Sequence, residues 1–275
     1  MKKEHGRCCA LLFVTNKKTI FKKKEVLMML KNFILSHSHH SGDFLLNPGQ
    51  TPDEFTVISE TPCFVIGHHT DTKGNWIDSH TFDFIKVDGV NDPVRAELNS
   101  WKFILTQLND GDWGCLHHYR RQLMNPCYVL STAQPIPMPN GVLGQLAYCH
   151  TIQYVDFMRY ALTKEDFKIL AEAKELFAYN LFCAPKNVIE RWVSDMEFLY
   201  NKFIDFTGGD IERFLRRDPD LLKERPGKNC SWDYQKRSFS FILERLNSLF
   251  WLKQRKAGNK VMPLAVRLLE ENQTI

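Results

Sequence analysis

The run Trp113-Gly114-Cys115-Leu116-His117-His118-Tyr119-Arg120-Arg121 decides how this chain folds. Trp113 to Leu116 is a short apolar stretch that predicts a buried strand, and a dense polar cluster follows at its carboxyl end. In open α/β sheets, ligands bind beyond the carboxyl ends of the strands, so this exit is the first candidate site. Immediately upstream, Val94, Leu98, Trp101, Leu105 and Leu108 recur at three- and four-residue spacing. That spacing predicts an amphipathic helix opened by Asn91-Asp92-Pro93 and stopped by Gly111.

Outward from this core, residues 9–15, 55–59, 63–67 and 82–87 read as strands, and Lys24 to Leu35 as a helix with Val26, Leu27, Leu30 and Ile34 on one face. Residues 36–54 and the proline-bearing 124–145 read as loops. Thr163-x-x-Asp166 predicts a capped helix, and residues 187–206 a second one with Ile189, Trp192, Val193, Met196, Leu199 and Phe203 facing inward. Residues 208–230 are charged and broken by Gly and Pro and read as a mobile connection, and a last helix spans about Ser238 to Lys253. Strands gather before about residue 130 and helices after it. The expectation is an α/β fold with one domain over residues 1–275, strand-rich through 130 and mainly helical from 131.

Composition narrows the function classes. With 44% hydrophobic and 25% charged residues in 275, the chain is an ordinary globular protein, and disorder is excluded for most of it. The net charge of +4 comes largely from lysine runs at Lys17, Lys18 and Lys22–Lys24 and from Lys253, Arg255 and Lys256. Such runs are ordinarily solvated surface. Together with Phe21, Phe250 and Trp251 they also suit peripheral contact with anionic lipid. No nucleic-acid-binding signature accompanies them, so nucleic acid is not expected as a partner. The eight cysteines include no Cys-x-x-Cys pair, which argues against a structural zinc site and fits reduced thiols in a cytoplasmic protein. The apolar stretch Cys8 to Val14 is far shorter than the roughly 20 residues that cross a bilayer.

The chemistry concentrates in the opening motif. Two adjacent arginines after Tyr119 offer planar donors suited to gripping a diphosphate, with His118 beside them; the plain alternative is a solvated loop with ordinary arginines. Asp110-Gly111-Asp112 spells Asp-x-Asp but precedes the strand, which suits a turn better than a metal site, and Gly208-Gly209-Asp210-x-Glu212 is a weaker metal candidate. The pairs His39-His40, His68-His69 and His117-His118 invite a metal site drawing one residue from each. Neighbours on a strand point to opposite faces, so ordinary polar histidines are the simpler expectation.

Ala96-Glu97-Leu98-Asn99-Ser100-Trp101-Lys102 followed by Gly114-Cys115-Leu116-His117-His118-Tyr119-Arg120-Arg121 resembles a bacterial family of capsule and O-antigen polysaccharide glycosyltransferases, long catalogued as a domain of unknown function. That family has a Glu-Leu-Thr and Trp-Lys helix, then a Gly-Leu-x-His-Tyr-Arg-Arg strand and turn; Asn99 stands where it has Thr. Gln145 to His150 with Asp156, then Asn180-Leu181-Phe182, then Phe241 to Leu246 with Glu244-Arg245-Leu246 resemble its later landmarks in order, over about residues 85–250.

The resemblance implies a GT-A-like nucleotide-sugar-binding domain. Its strand-rich part would hold the nucleotide and its helical C-terminal subdomain the acceptor. It implies transfer of a hexose, galactose among the candidates, from a nucleotide-sugar donor such as a UDP-sugar to a saccharide or lipid-linked saccharide acceptor at the inner face of the plasma membrane. Substrate contacts would come from His118, Tyr119, Arg120, Arg121, Gln145, His150, Asn180 and Arg245. The catalytic carboxylates would be drawn from Asp156, ranked first, Glu97 and Glu244. Many such folds hold Mn²⁺ or Mg²⁺ on an Asp-x-Asp, whereas here Tyr119-Arg120-Arg121 occupies that place. No cofactor is therefore expected to be required, a divalent cation being the other arrangement. A metal-dependent hydrolase or a non-catalytic phosphate-binding module are the rival classes.

Overall fold

The computed structural model describes residues 28–36, 42–46, 50–61, 65–70, 76–82, 84–95, 97–118 and 120–268. The strand expected at 9–15, His39, His40 and Tyr119 lie outside them. The first half holds β1 (Leu30–Leu35), β2 (Gly42–Leu46), β3 (Phe55–Ser59), β4 (Val65–Thr70), β5 (Trp76–Thr81), β6 (Phe84–Lys86), α1 (Glu97–Gln107), β7 (Trp113–His118) and β8 (Arg121–Leu123). Then come β9 (Ser131–Ala133), β10 (Ile136–Pro137), α2 (Val142–Cys149), α3 (Ile152–Ala161), α4 (Lys164–Glu172), β11 (Glu175–Leu176) and β12 (Phe182–Pro185). The C-terminal part adds α5 (Lys186–Thr207), α6 (Ile211–Leu215), α7 (Trp232–Gln235), α8 (Phe239–Lys256), β13 (Met262–Leu264) and β14 (Val266–Leu268).

The central sheet runs β13-β9-β12-β7-β1-β3-β6. From β1 the chain steps outward through parallel β3 and β6, and α1 then carries it back to β7, which pairs in parallel with the other edge of β1. The order reverses between β1 and β7, so a crevice opens beyond their carboxyl ends, at Leu35 and His118. Beyond β7 the sheet is extended by β12, which runs antiparallel to it.

Residues 24–35 were expected to be helical; from Leu30 onward they form β1 instead. Phe33, Ile34 and Leu35 are all buried because a central parallel strand is covered on both faces. A continuous apolar run of that kind cannot be told from a helix face by spacing alone. Phe33 and Leu35 join the large core built with Leu98, Trp101 and Ile104 of α1. Ile34 faces the other way, into a smaller core with Phe44, Phe55, Val57, Val65 and Phe82, roofed by the three-stranded sheet β2-β4-β5. That small sheet occupies part of what read as loop.

Three expectations need further correction. Asn91-Asp92-Pro93 makes a turn in which the Asp92 carboxylate accepts from the Val94 and Arg95 amides, and the helix begins only at Glu97. Residues 208–230 contain α6, whose Phe214 and Leu215 are buried along with Leu221. Phe250 and Trp251, expected to meet lipid, are buried: the Trp251 ring lies edge-on to Phe182 at 5.1 Å. Among the described residues no helix is long and apolar enough to cross a membrane. Other features match. Thr163 caps α4 by accepting from the Asp166 amide at 3.1 Å, and Asp112 turns the chain into β7 by accepting from the Asn109 and Met29 amides while pairing with Lys31.

α8 is buried nearly all round, which marks it as the central helix of the C-terminal half. Its Asn247 is a fully occupied polar bridge. The side-chain oxygen accepts from Trp192 Nε1 at 3.0 Å and Trp251 Nε1 at 2.9 Å, while the amide nitrogen donates to the Phe177 carbonyl at 2.8 Å. Asn247→Leu strands two indole donors and one carbonyl in the core, and should destabilise the protein by about 3 kcal/mol or more in urea unfolding; a loss under about 1 kcal/mol would contradict this role.

His117 is fully buried and points into the small core, between Phe44 and Phe55. Its Nδ1 accepts from the Leu123 amide, so Nε2 carries the proton toward Asn32 Oδ1 at 3.2 Å. Burial holds its pKa down to about 3, and burial does the same to His150. Unfolded imidazoles bind a proton below about pH 6.5, so acid favours the unfolded chain from that value down toward pH 3. Each ring should contribute a stability loss of up to about 1.4 kcal/mol per pH unit across that window. Glu97, whose pKa burial raises, acts in the opposite sense, so urea midpoints between pH 7 and 5 are best compared in Glu97→Gln. A flat profile would show that the two rings are not buried neutral.

Candidate active site

The crevice at the β1–β7 reversal widens into a cavity of about 510 Å³, a size that accepts a small-molecule ligand. Leu35 and His118 lie at the strand ends; Asp92 and Glu97 come from the turn and first residue of α1. Arg120 and Arg121 follow β7, Gln145 and His150 come from α2 and its end, and Tyr179 and Asn180 precede β12. Tyr234 comes from α7, Arg237 from the link that follows it, and Ser240, Glu244 and Arg245 from α8. The fold thus collects Glu97, His118, Arg120, Arg121, Gln145, His150, Asn180, Glu244 and Arg245 from separated parts of the sequence.

Asp156, ranked first among the carboxylates, is not among the residues lining the cavity. It lies on the solvent side of α3, half exposed and paired with Arg159 at 2.8 Å, because Tyr154, Val155, Phe157 and Met158 take the inward phase of that helix. The acid–base candidates in the cavity are therefore Glu97 and Glu244. Asp110 pairs with Lys186 on the surface, and Asp210 caps α6, so neither belongs to the site.

The segment before β12 is held in an unusual backbone shape. Tyr179 and Asn180 have φ of 69° and 53°, two successive left-handed residues that are not glycine. Such strain persists only where the surroundings over-determine it. Here the Tyr179 amide donates to Glu244 Oε1 at 3.3 Å, Trp101 Nε1 donates to the Asn180 carbonyl at 3.0 Å, and Ser248 Oγ accepts from the Phe177 amide. The result is that the Tyr179 ring lies under the Arg121 guanidinium, 4.0 Å from its carbon. Asn180 Nδ2 donates to Glu97 Oε2 at 3.1 Å.

On the helical side, Arg245 is buried. It donates to the Phe241 carbonyl at 2.8 Å, to Glu244 Oε2 at 3.0 Å and to Gln145 Oε1. His150 stacks on Phe241 at 3.8 Å and engages Gln235; its low pKa comes from burial first and the Arg245 charge second, so it is a neutral wall. Burial raises the pKa of Glu97, and the Glu244 charge adds to that, while its own amide, Asn180 and Arg237 hold it back.

Four arginines thus line one cavity. Arg121 Nε, Arg245 Nε, Asn180 Oδ1 and Ser240 Oγ are moreover buried there without a hydrogen-bond partner. An unmet buried polar group costs about 1–3 kcal/mol, and these four sit in residues that line the same cavity. Glu97 and Glu244 are already engaged by protein donors, so this set fits an anion better than a divalent cation. Sequence inspection missed Tyr179, Tyr234 and Arg237. Tyr179 carried no signal because its position depends on the left-handed turn, whereas Arg237, just ahead of the last predicted helix, could have been flagged as a cation at a helix start.

No protein-family profile matches the chain, and no curated protein sequence matches it. Its fold is similar to that of the WbbM bifunctional glycosyltransferase in its apo structure, with a TM-score of 0.54 and 15% sequence identity. The match covers 90% of this chain and 47% of that one, so this chain spans about half of that protein's length. At that identity the likeness is one of fold: a mixed α/β architecture whose central, mostly parallel sheet is shared with a glycosyltransferase.

Proposed function

We propose that this protein is a glycosyltransferase that moves a hexose, galactose being the first to test, from a nucleoside diphosphate sugar to a saccharide acceptor. The observation that carries the proposal is the group of guanidiniums, two with an unmet buried Nε, at the order reversal of an α/β sheet. The fold's likeness to WbbM supports the same class.

In the proposed reaction an acceptor hydroxyl oxygen bonds to the anomeric carbon as the bond from that carbon to the diphosphate oxygen breaks. Both electrons of that bond leave with the nucleoside diphosphate, and Arg120 and Arg121 take up its charge. The Tyr179 ring fixes the Arg121 plane, which pre-organises the fork before substrate arrives. Glu97 receives the hydroxyl proton; its burial-raised pKa brings it closer to working pH than a solvated carboxylate. Glu244, held beside Arg245, anchors the Tyr179 amide. The strand-rich part would seat the nucleotide and the helical part the acceptor, and surface polysaccharide synthesis is the setting this implies.

Titration of UDP into Arg121→Ala and Arg120→Ala should show affinity weakened about 10- to 100-fold each, with thermal stability little changed, since a charge-assisted hydrogen bond contributes about 1.5–3 kcal/mol. Slow release of UDP from UDP-galactose without acceptor should fall with it. Hydrolysis that survives both substitutions would overturn the proposal, and binding without any turnover would favour a phosphate-binding module. Glu97→Gln should lower kcat strongly while UDP binding stays within about twofold, and the wild-type rate should rise with pH through a pKa above that of a free carboxylate. Turnover should persist in chelator; abolition by EDTA with rescue by Mn²⁺ would show that the arginines do not replace a metal.

A further inference from the structure

A second cluster lies on the small sheet, away from the cavity. β4 and β5 form an antiparallel hairpin in which His69 stands directly opposite Asp78, and His80 is two residues further along β5. Alternation puts Asp78 and His80 on one face of β5, and pairing puts His69 on that same face. One ligand atom from each of the three lies within 4.8 Å of the other two. His69 Nδ1 is 2.7 Å from one Asp78 carboxylate oxygen, and His80 Nε2 is 3.4 Å from the other.

We propose that His69, Asp78 and His80 bind one divalent transition metal ion of the zinc class. Nitrogen and oxygen ligands at the zinc distance of about 2.0–2.1 Å sit roughly 3.3 Å apart around a tetrahedral ion, so small side-chain rotations complete the site. The partner outside the triad has the expected form. His69 Nε2 lies 2.9 Å from the Gln50 carbonyl, which takes the proton on that nitrogen and leaves Nδ1 with a free lone pair for the metal. Two imidazoles with one carboxylate favour zinc over magnesium or calcium.

The three side chains are 25%, 48% and 41% exposed, so an ion reaches them from solvent. The pattern differs from a metal site drawn from the three histidine pairs: His117 and His68 are buried, and among the described members of those pairs His69 alone contributes, with partners from β5. None of the three ligands lines the arginine cavity. The metal staples the β4–β5 hairpin, and through Gln50 it also ties down the chain leading into β3. Its consequence is for the stability of the roof over Ile34 and Phe55 rather than for sugar transfer. The site stands independently of the transferase proposal.

The test uses the full chain, stripped with EDTA and desalted, and titrated with Zn²⁺ by calorimetry and with Co²⁺ by visible absorption. One equivalent should bind saturably, Co²⁺ should give the intense bands of a four-coordinate ion, and Zn²⁺ should raise Tm. His80→Ala and Asp78→Asn, both at exposed strand positions, should each weaken binding at least about tenfold while UDP binding is unchanged. Absence of saturable binding would overturn the proposal. So would wild-type affinity in the His69→Ala/His80→Ala double variant, which would assign the ion to other histidines. Asp78→Asn keeps the side-chain shape, so lost binding with an unchanged circular dichroism spectrum separates lost ligation from lost folding.

Discussion

Concentrated positive charge in a confined space is the constraint on which this structure turns. Arg120, Arg121, Arg237 and Arg245 converge on one cavity, and water cannot screen them there as it does on an open surface. Glu244 offsets Arg245, and Glu97 is pushed toward its neutral form by burial. What is left over is positive, and the Nε of Arg121 and of Arg245 has no hydrogen-bond partner in the protein. A diphosphate matches that remainder in charge, size and donor geometry.

Holding such a cavity open requires a rigid frame. The sheet contributes its order reversal, which separates the elements that follow β1 and β7. α8 contributes the opposite wall, and its inner face is anchored by Asn247 between two tryptophans. Between them runs the strained pair Tyr179-Asn180, clamped from α1 by Trp101 and from α8 by Glu244. Core packing and site geometry are therefore the same set of contacts, and the Arg121–Tyr179 stack is where they meet.

Much of this was legible in the sequence where one periodicity or one motif dominated. α5 and α4 were visible from apolar spacing and a Thr cap, and β7 with its basic exit from the abrupt change of polarity after Leu116. β1 was misread because Phe33, Ile34 and Leu35 are consecutive apolar residues, and Leu30 with Ile34 also fits the spacing of a helix face. β5 was missed because Asp78, Ser79 and His80 sit on an exposed hairpin without alternating hydrophobics. Of the motif residues, Glu97, His118, Arg120, Arg121, Gln145, His150, Asn180, Glu244 and Arg245 fall together around one cavity. Asp156 was misplaced because its helical phase is set by Tyr154 and Phe157, and Tyr179 was missed because no local pattern announces a left-handed turn imposed by tertiary contacts.

The central claim is that the arginine fork after β7 receives a diphosphate. A crystal structure of the full chain with UDP tests it most directly. The account predicts the two phosphates in the cavity, with their oxygens about 2.7–2.9 Å from guanidinium nitrogens of Arg120 and Arg121 and the Tyr179 stack intact. UDP bound elsewhere, with both guanidiniums satisfied by protein groups alone, would contradict it.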